Sequence, residues 1–147
     1  MTTAPGINGQ VIGQAHYATR AVLERLLAQT GATFHESVAL NATAENAGSI
    51  ERDRLVERMT STLKVDTTTA EAALAGLLAQ GLLEERSADA PVLALTAAGK
   101  EAHRAQRAGI ASITAPLYAD LPAEDMAAAG RVLTELTARA NAVLAEG

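Results

Sequence analysis

Apolar residues recur every three or four positions over most of the chain, and this spacing predicts a run of helices. The first spans Ile7 to Thr30, with Val11, Ile12, Ala15, Ala18, Val22, Leu23, Leu26 and Leu27 on one side; Gly31 ends it. Met1 to Gly6, small and proline-containing, reads as a frayed arm. A second helix runs from about Thr33 to Glu45, and Gly48 closes it. Ser49 reads as the cap of a third, from Ile50 to about Leu63, with Leu55, Val56, Met59 and Leu63 inward. A very short connection leads to Asp66, an N-cap residue, and to a fourth helix with Ala70, Ala73, Leu74, Leu77 and Leu78 apolar. Gly81 stops it, because glycine takes positive φ without steric cost.

Beyond Gly81 the period changes. Leu82 and Leu83 restart the chain, Ser87 to Pro91 reads as a turn, and Val92 to Leu95 alternates like a half-buried strand with Leu93 and Leu95 on one face. Thr96 caps a long helix from Ala97 to about Ile113, which Pro116 bends or ends. Leu121-Pro122 marks a break before the last helix. There Met126, Ala129, Leu133, Leu136, Ala140 and Val143 form an interface-like stripe. Two helices so tightly connected must turn sharply, as in a helix-turn-helix, and the order that follows is that of a winged one. The expected fold is mostly α with a small β-hairpin wing.

Composition narrows the picture. At 147 residues the chain has the size of one domain, and 48% hydrophobic residues suit a folded globule. Much of that fraction is alanine and only 2% is aromatic, so close helix packing or a dimer has to supply the core. The absence of cysteine excludes disulfides, thiolate catalysis and cysteine zinc sites. No apolar run reaches the roughly 18 residues of a membrane span, and no secretory leader pattern opens the chain. The expected location is cytoplasmic, without membrane association. No nucleophile elbow, phosphate-binding glycine loop or dinucleotide fingerprint is present, so neither an enzyme nor a cofactor is expected.

The ordered set Val65, Asp66, Thr68, Thr69, Leu78, Gly81, Leu82, Leu83, Leu95, Thr96 and Gly99 resembles the text of the MarR-type transcriptional regulators. That text runs V-D-x-S/T-T, an apolar helix, G-L-V/L, a charged hairpin and L-T-x-x-G; length and helix order also fit. The resemblance implies one domain over residues 1–147, with a winged helix-turn-helix at about 33–96. Dimerisation helices would flank it at about 7–31 and 97–146. In that family the flanking helices interlock in a two-fold dimer that sets two recognition helices on successive major-groove faces. The implied partners are a double-stranded DNA operator, a second copy of the chain and a small-molecule effector.

The resemblance gives Thr67, Thr68 and Thr69 to the first turn of the recognition helix, where hydroxyls meet phosphates or base edges and methyls meet thymine. Lys64 and Arg86, one beside each end of the recognition unit, are the expected phosphate contacts. Arginines common in the family fall at Ala72 and Gly76 here, Glu71 adds a negative charge, and the wing lacks the usual Asp-Arg pair. From Ser49 to Thr96 five basic residues face eight acidic ones, a net of -3 within a chain of net -5. Phosphate neutralisation supplies much of DNA affinity. A second reading therefore stands beside the regulator: a winged-helix module that no longer reads DNA and serves protein interaction or ligand binding.

Of the three histidines, none belongs to a close ligand pair, and no metal site is expected. His16 and Arg20 share the first helix one turn apart, and His35 begins the second near Phe34. Effectors of the resembled family lodge between the dimerisation helices and the winged unit, so these three could bind an anionic ligand. Solvent exposure or structural hydrogen bonding is the competing reading.

Overall fold

The computed structural model describes residues 6–87 and 91–147. The arm expected at Met1 to Gly6 lies outside them except for Gly6, as does the middle of the turn expected at Ser87 to Pro91. The elements are α1 (Gly9–Ala28), α2 (Phe34–Glu45), β1 (Ser49–Glu51), α3 (Arg52–Leu63), α4 (Thr67–Ala79), β2 (Leu83–Glu85), β3 (Val92–Leu95), α5 (Ala97–Tyr118) and α6 (Ala123–Glu146). Two compact units result, the first reaching Ile113 and the second spanning Thr114–Gly147. Mostly helical with a small antiparallel sheet, the fold is the expected class.

Short polar side chains set the helix starts. Asn8 caps α1 through its Oδ1, which accepts the Val11 N–H at 2.9 Å. Thr33 and Glu36 form a reciprocal capping box on α2, each side chain accepting the other's backbone N–H.

Ser49 does not cap a helix. It opens β1, which pairs antiparallel with β3 and sets Ile50 opposite Leu93. Three residues are too few to show a period-2 pattern, and the partner strand lies more than forty positions later, so nothing local marks it. Helix α3 starts instead at Arg52, whose N–H bonds the Pro91 carbonyl at 2.9 Å. The sheet order is β1-β3-β2, with Leu83 opposite Leu95 and Glu85 opposite Leu93. As the central strand, β3 buries Ala94 as well as Leu93 and Leu95, on both faces rather than the single face its alternation suggested. Pro116 does not end α5, which continues to Tyr118. So near the C-terminus, the one backbone bond that proline removes falls in the last turn.

The core of the first unit comes from Leu40, Leu55, Met59, Leu74, Leu77 and Leu93, each at most 1% exposed. Fully buried Ala39 and Ala70 keep the helices of this alanine-rich chain close. Gly76 has a related purpose within α4. A Cβ there would lie 2.1 Å from Oε2 of Glu36, a carboxylate only 8% exposed. That oxygen accepts from Gln80 Nε2 at 3.1 Å, while Oε1 accepts the Thr33 N–H at 3.0 Å. Gly76 thus makes way for a buried polar contact. In the second unit, the α6 stripe of Met126, Leu133, Leu136 and Val143 is 40% to 67% exposed.

At the start of α5, a Cβ on Gly99 would lie 2.0 Å from the Leu82 carbonyl oxygen, with Leu95 Cδ2 at 3.3 Å. Backbone cannot yield as a side-chain tip can. Gly99→Ala is expected to cost about 3 kcal/mol despite alanine's better helix propensity, read from the midpoint and slope of urea unfolding.

Candidate nucleic-acid interface

Three residues join α3 to α4. Lys64 takes a left-handed conformation (φ 59°, ψ 33°) and its N–H bonds the Thr60 carbonyl at 3.0 Å. Its Nζ bonds the Ser61 carbonyl. Val65 is half-buried, and Asp66, extended, caps α4 by accepting the Thr69 N–H at 2.7 Å. The Thr69 hydroxyl also bonds the Asp66 carboxylate; this bond first, and the backbone bond second, hold Asp66 below its ordinary pKa. Thr69 is accordingly half-buried and committed to the cap, whereas Thr67 and Thr68 are exposed.

Burial fixes which way α4 faces. Ala70, Ala73, Leu74 and Leu77 lie in the core, so Thr67, Thr68, Glu71, Ala72 and Ala75 form the outward face. The helix carries no lysine or arginine. Its first turn still offers backbone N–H groups suited to a phosphate.

The cations around this helix are largely met by carboxylates. Arg86 follows β2; its N–H bonds the Val92 carbonyl at 2.9 Å, and its Nε lies 3.3 Å from Glu84. Arg52 lies 3.5 Å from Glu85, and Arg58 pairs with Glu45. The Arg58 hydrogen bond, followed by one from Asn41, holds Glu45 below the usual carboxylate pKa. Lys64 thus directly precedes α4, while Arg86 lies in the hairpin and shares its charge with Glu84.

Arg20 and His35 meet at Phe34. The Arg20 guanidinium stacks 4.0 Å above the ring and bonds Glu24 at 3.3 Å; His35 packs edge-on at 5.7 Å. His16 is exposed and packs beside Tyr17. His103 contacts Asn41 at 3.0 Å; burial, then the nearby Arg107, lowers its pKa.

None of His16, Arg20 or His35 lines a cavity of the first unit found between α1, α4 and α5. This space of about 450 Å³ has apolar walls from Leu26, Leu27 and Leu82, with polar groups from Thr30, Gln80 and Gln106. No lining side chain is charged. Sequence reasoning missed it because its walls come from the end of α1, the end of α4 and the first half of α5. Two of its amides reach past it, Gln80 to Glu36 and Gln106 to Ser37 at 3.0 Å. Among the described residues, no acidic–histidine group suits a metal and no helix is long and apolar enough to cross a membrane.

No family model and no curated protein matches the chain. Solved structures do. The transcriptional regulator PA3341 is 24% identical with a TM-score of 0.75, covering 89% of this chain and 96% of that one. A putative MarR family regulator from Listeria monocytogenes, complexed with a 26mer DNA, gives 17% identity and a TM-score of 0.77, covering 93% and 91%. A mutant of MarR from E. coli complexed with operator DNA gives 18% and 0.72, covering 87% and 91%. The chain has the MarR-type winged-helix fold.

The cap has a pH signature. Because Asp66 is held below its unfolded pKa of about 3.9, its contribution is present above that value and is lost as pH falls through the folded pKa. Asp66→Ala should melt below the wild type at pH 7. The gap should narrow in thermal melts as pH is lowered through and beneath the unfolded pKa of about 3.9.

Proposed function

We infer that the chain is a DNA-binding transcriptional regulator, not an enzyme, that grips a pseudo-palindromic operator as a homodimer. The observation that carries this reading is α4 itself: capped by Asp66, anchored on its inner side and open along Thr67 and Thr68. Likeness to regulators solved with DNA supports it. Thr67 and Thr68 enter the major groove, Thr69 holds the cap that presents them, and Arg86 approaches a flanking phosphate.

Lys64 supports the reading through its backbone. A left-handed helix end favours glycine, and a lysine there bears a conformational cost that its ammonium repays as a phosphate contact. Dimerisation is supported by the exposed stripe on α6, which a second copy of the chain would cover. The effector site is assigned to the cavity between α1, α4 and α5, and its uncharged lining suits a neutral, largely apolar ligand. Such a ligand acts only by the difference in its affinity for two geometries of the regulator.

One observation favours a second reading, a module that no longer reads DNA. Arg52, Arg58 and Arg86 all pair with glutamates on a winged unit of net negative charge.

The deciding experiment is selection of genomic fragments by the purified protein at low and moderate salt. An inverted repeat should be recovered and lost on combined replacement of Thr67, Thr68 and Arg86 by alanine. No recovery from a folded dimer at low salt would establish the second reading. Lys64→Gly should leave the fold as stable or more so while weakening DNA binding and flattening its log-log salt slope by about one. Sedimentation at micromolar concentration should give a dimer; a monomer would refute that part.

A further inference from the structure

The outward face of α4 offers a base-reading chemistry of its own. Thr67, Thr68, Glu71, Ala72 and Ala75 are exposed, and helical spacing sets Glu71 one turn beyond Thr67 and Thr68 on that face. Glu71 makes no hydrogen bond or ion pair among the described residues, unlike Glu45, Glu84 and Glu85. No guanidinium or ammonium stands on this helix to take the paired acceptors of guanine. Methyl groups from two threonines and two alanines suit thymine, leaving one strong acceptor, the Glu71 carboxylate.

We propose that Glu71 is a specificity-determining residue that reads a cytosine in each operator half-site through its exocyclic amine. The assignment rests on the DNA-binding reading above. A carboxylate only accepts hydrogen bonds, and in the major groove cytosine presents an N4 amine. Adenine presents N6 as well, but its neighbouring N7 acceptor repels a carboxylate and would be left unmatched. Surrounding phosphates also repel Glu71, so a groove with no amine at that position is penalised rather than ignored. Glu71 thus discriminates mainly by excluding sites, and its charge weakens binding to DNA in general. The half-site expected is thymine-rich with one required C·G pair oriented with cytosine toward α4.

The test is selection from a randomised duplex library with the wild type, Glu71→Ala and Glu71→Gln. Circular dichroism of each first verifies that an exposed helical substitution leaves the fold intact. The wild type should return a motif with a fixed cytosine. Glu71→Ala should keep the rest of the motif but lose that preference by about tenfold, while binding unrelated DNA more tightly. Glu71→Gln should move the position toward adenine, whose N6 and N7 fit a carboxamide. A wild-type motif that both variants return unchanged, or an A·T requirement there in the wild type, overturns the assignment and leaves the regulator standing. Failure of the wild type to select any motif overturns both.

Discussion

Three elements meet where Thr96 and Gly99 close on the end of α4. The Thr96 hydroxyl donates to the Gly81 carbonyl at 2.6 Å and accepts the Gly99 N–H at 2.9 Å; the Thr96 N–H bonds the Leu82 carbonyl at 3.2 Å. One side chain thereby ends α4, closes the hairpin and starts α5. Gly99 makes this closure sterically admissible, since any Cβ would enter the Leu82 carbonyl. The orientation of α4 relative to β2, β3 and the start of α5 depends on that junction, and so does the face it turns outward.

The core behind α4 is built to small tolerances. With a single phenylalanine and no tryptophan in the chain, burial comes from leucines separated by alanines and glycines that let backbones approach. Gly76 extends this economy to a polar group, giving Glu36 space to bond both the Thr33 N–H and Gln80. Gln80 also lines the cavity, so a ligand that competes for its amide would disturb a buried carboxylate next to the last turn of α4. Cavity and α4 are joined by one hydrogen-bonded side chain within the first unit.

Electrostatics set the fold of this protein apart from its proposed affinity for DNA. Acidic residues on α2 and the hairpin take up several arginines, and α4 itself has no cation. A chain of this kind can gain discrimination from unfavourable placement of charge as much as from attraction. On the DNA-binding reading proposed above, general attraction to DNA is then modest, and the outer face of α4 would carry a larger share of what distinguishes one duplex from another.

Local chemistry was sufficient for the sequence to determine the helices, their caps at Asp66 and Thr96, the stops at Gly31 and Gly81, and the inner face of α4. Each of these is a preference of a residue for its own backbone or for neighbours three and four positions away. The tertiary structure alone decided what depends on distant partners. Ser49 to Glu51 became a strand because β3 lay beside it, not because of their own pattern. Pro116 stayed within α5 because its missing bond falls near the helix end. The Thr69 N–H and hydroxyl joined the Asp66 cap, and Arg20 and His35 gathered on Phe34. The cavity's walls come from three segments spread between Leu26 and Gln106, brought together by burial that is non-directional and leaves no periodic mark in any one of them.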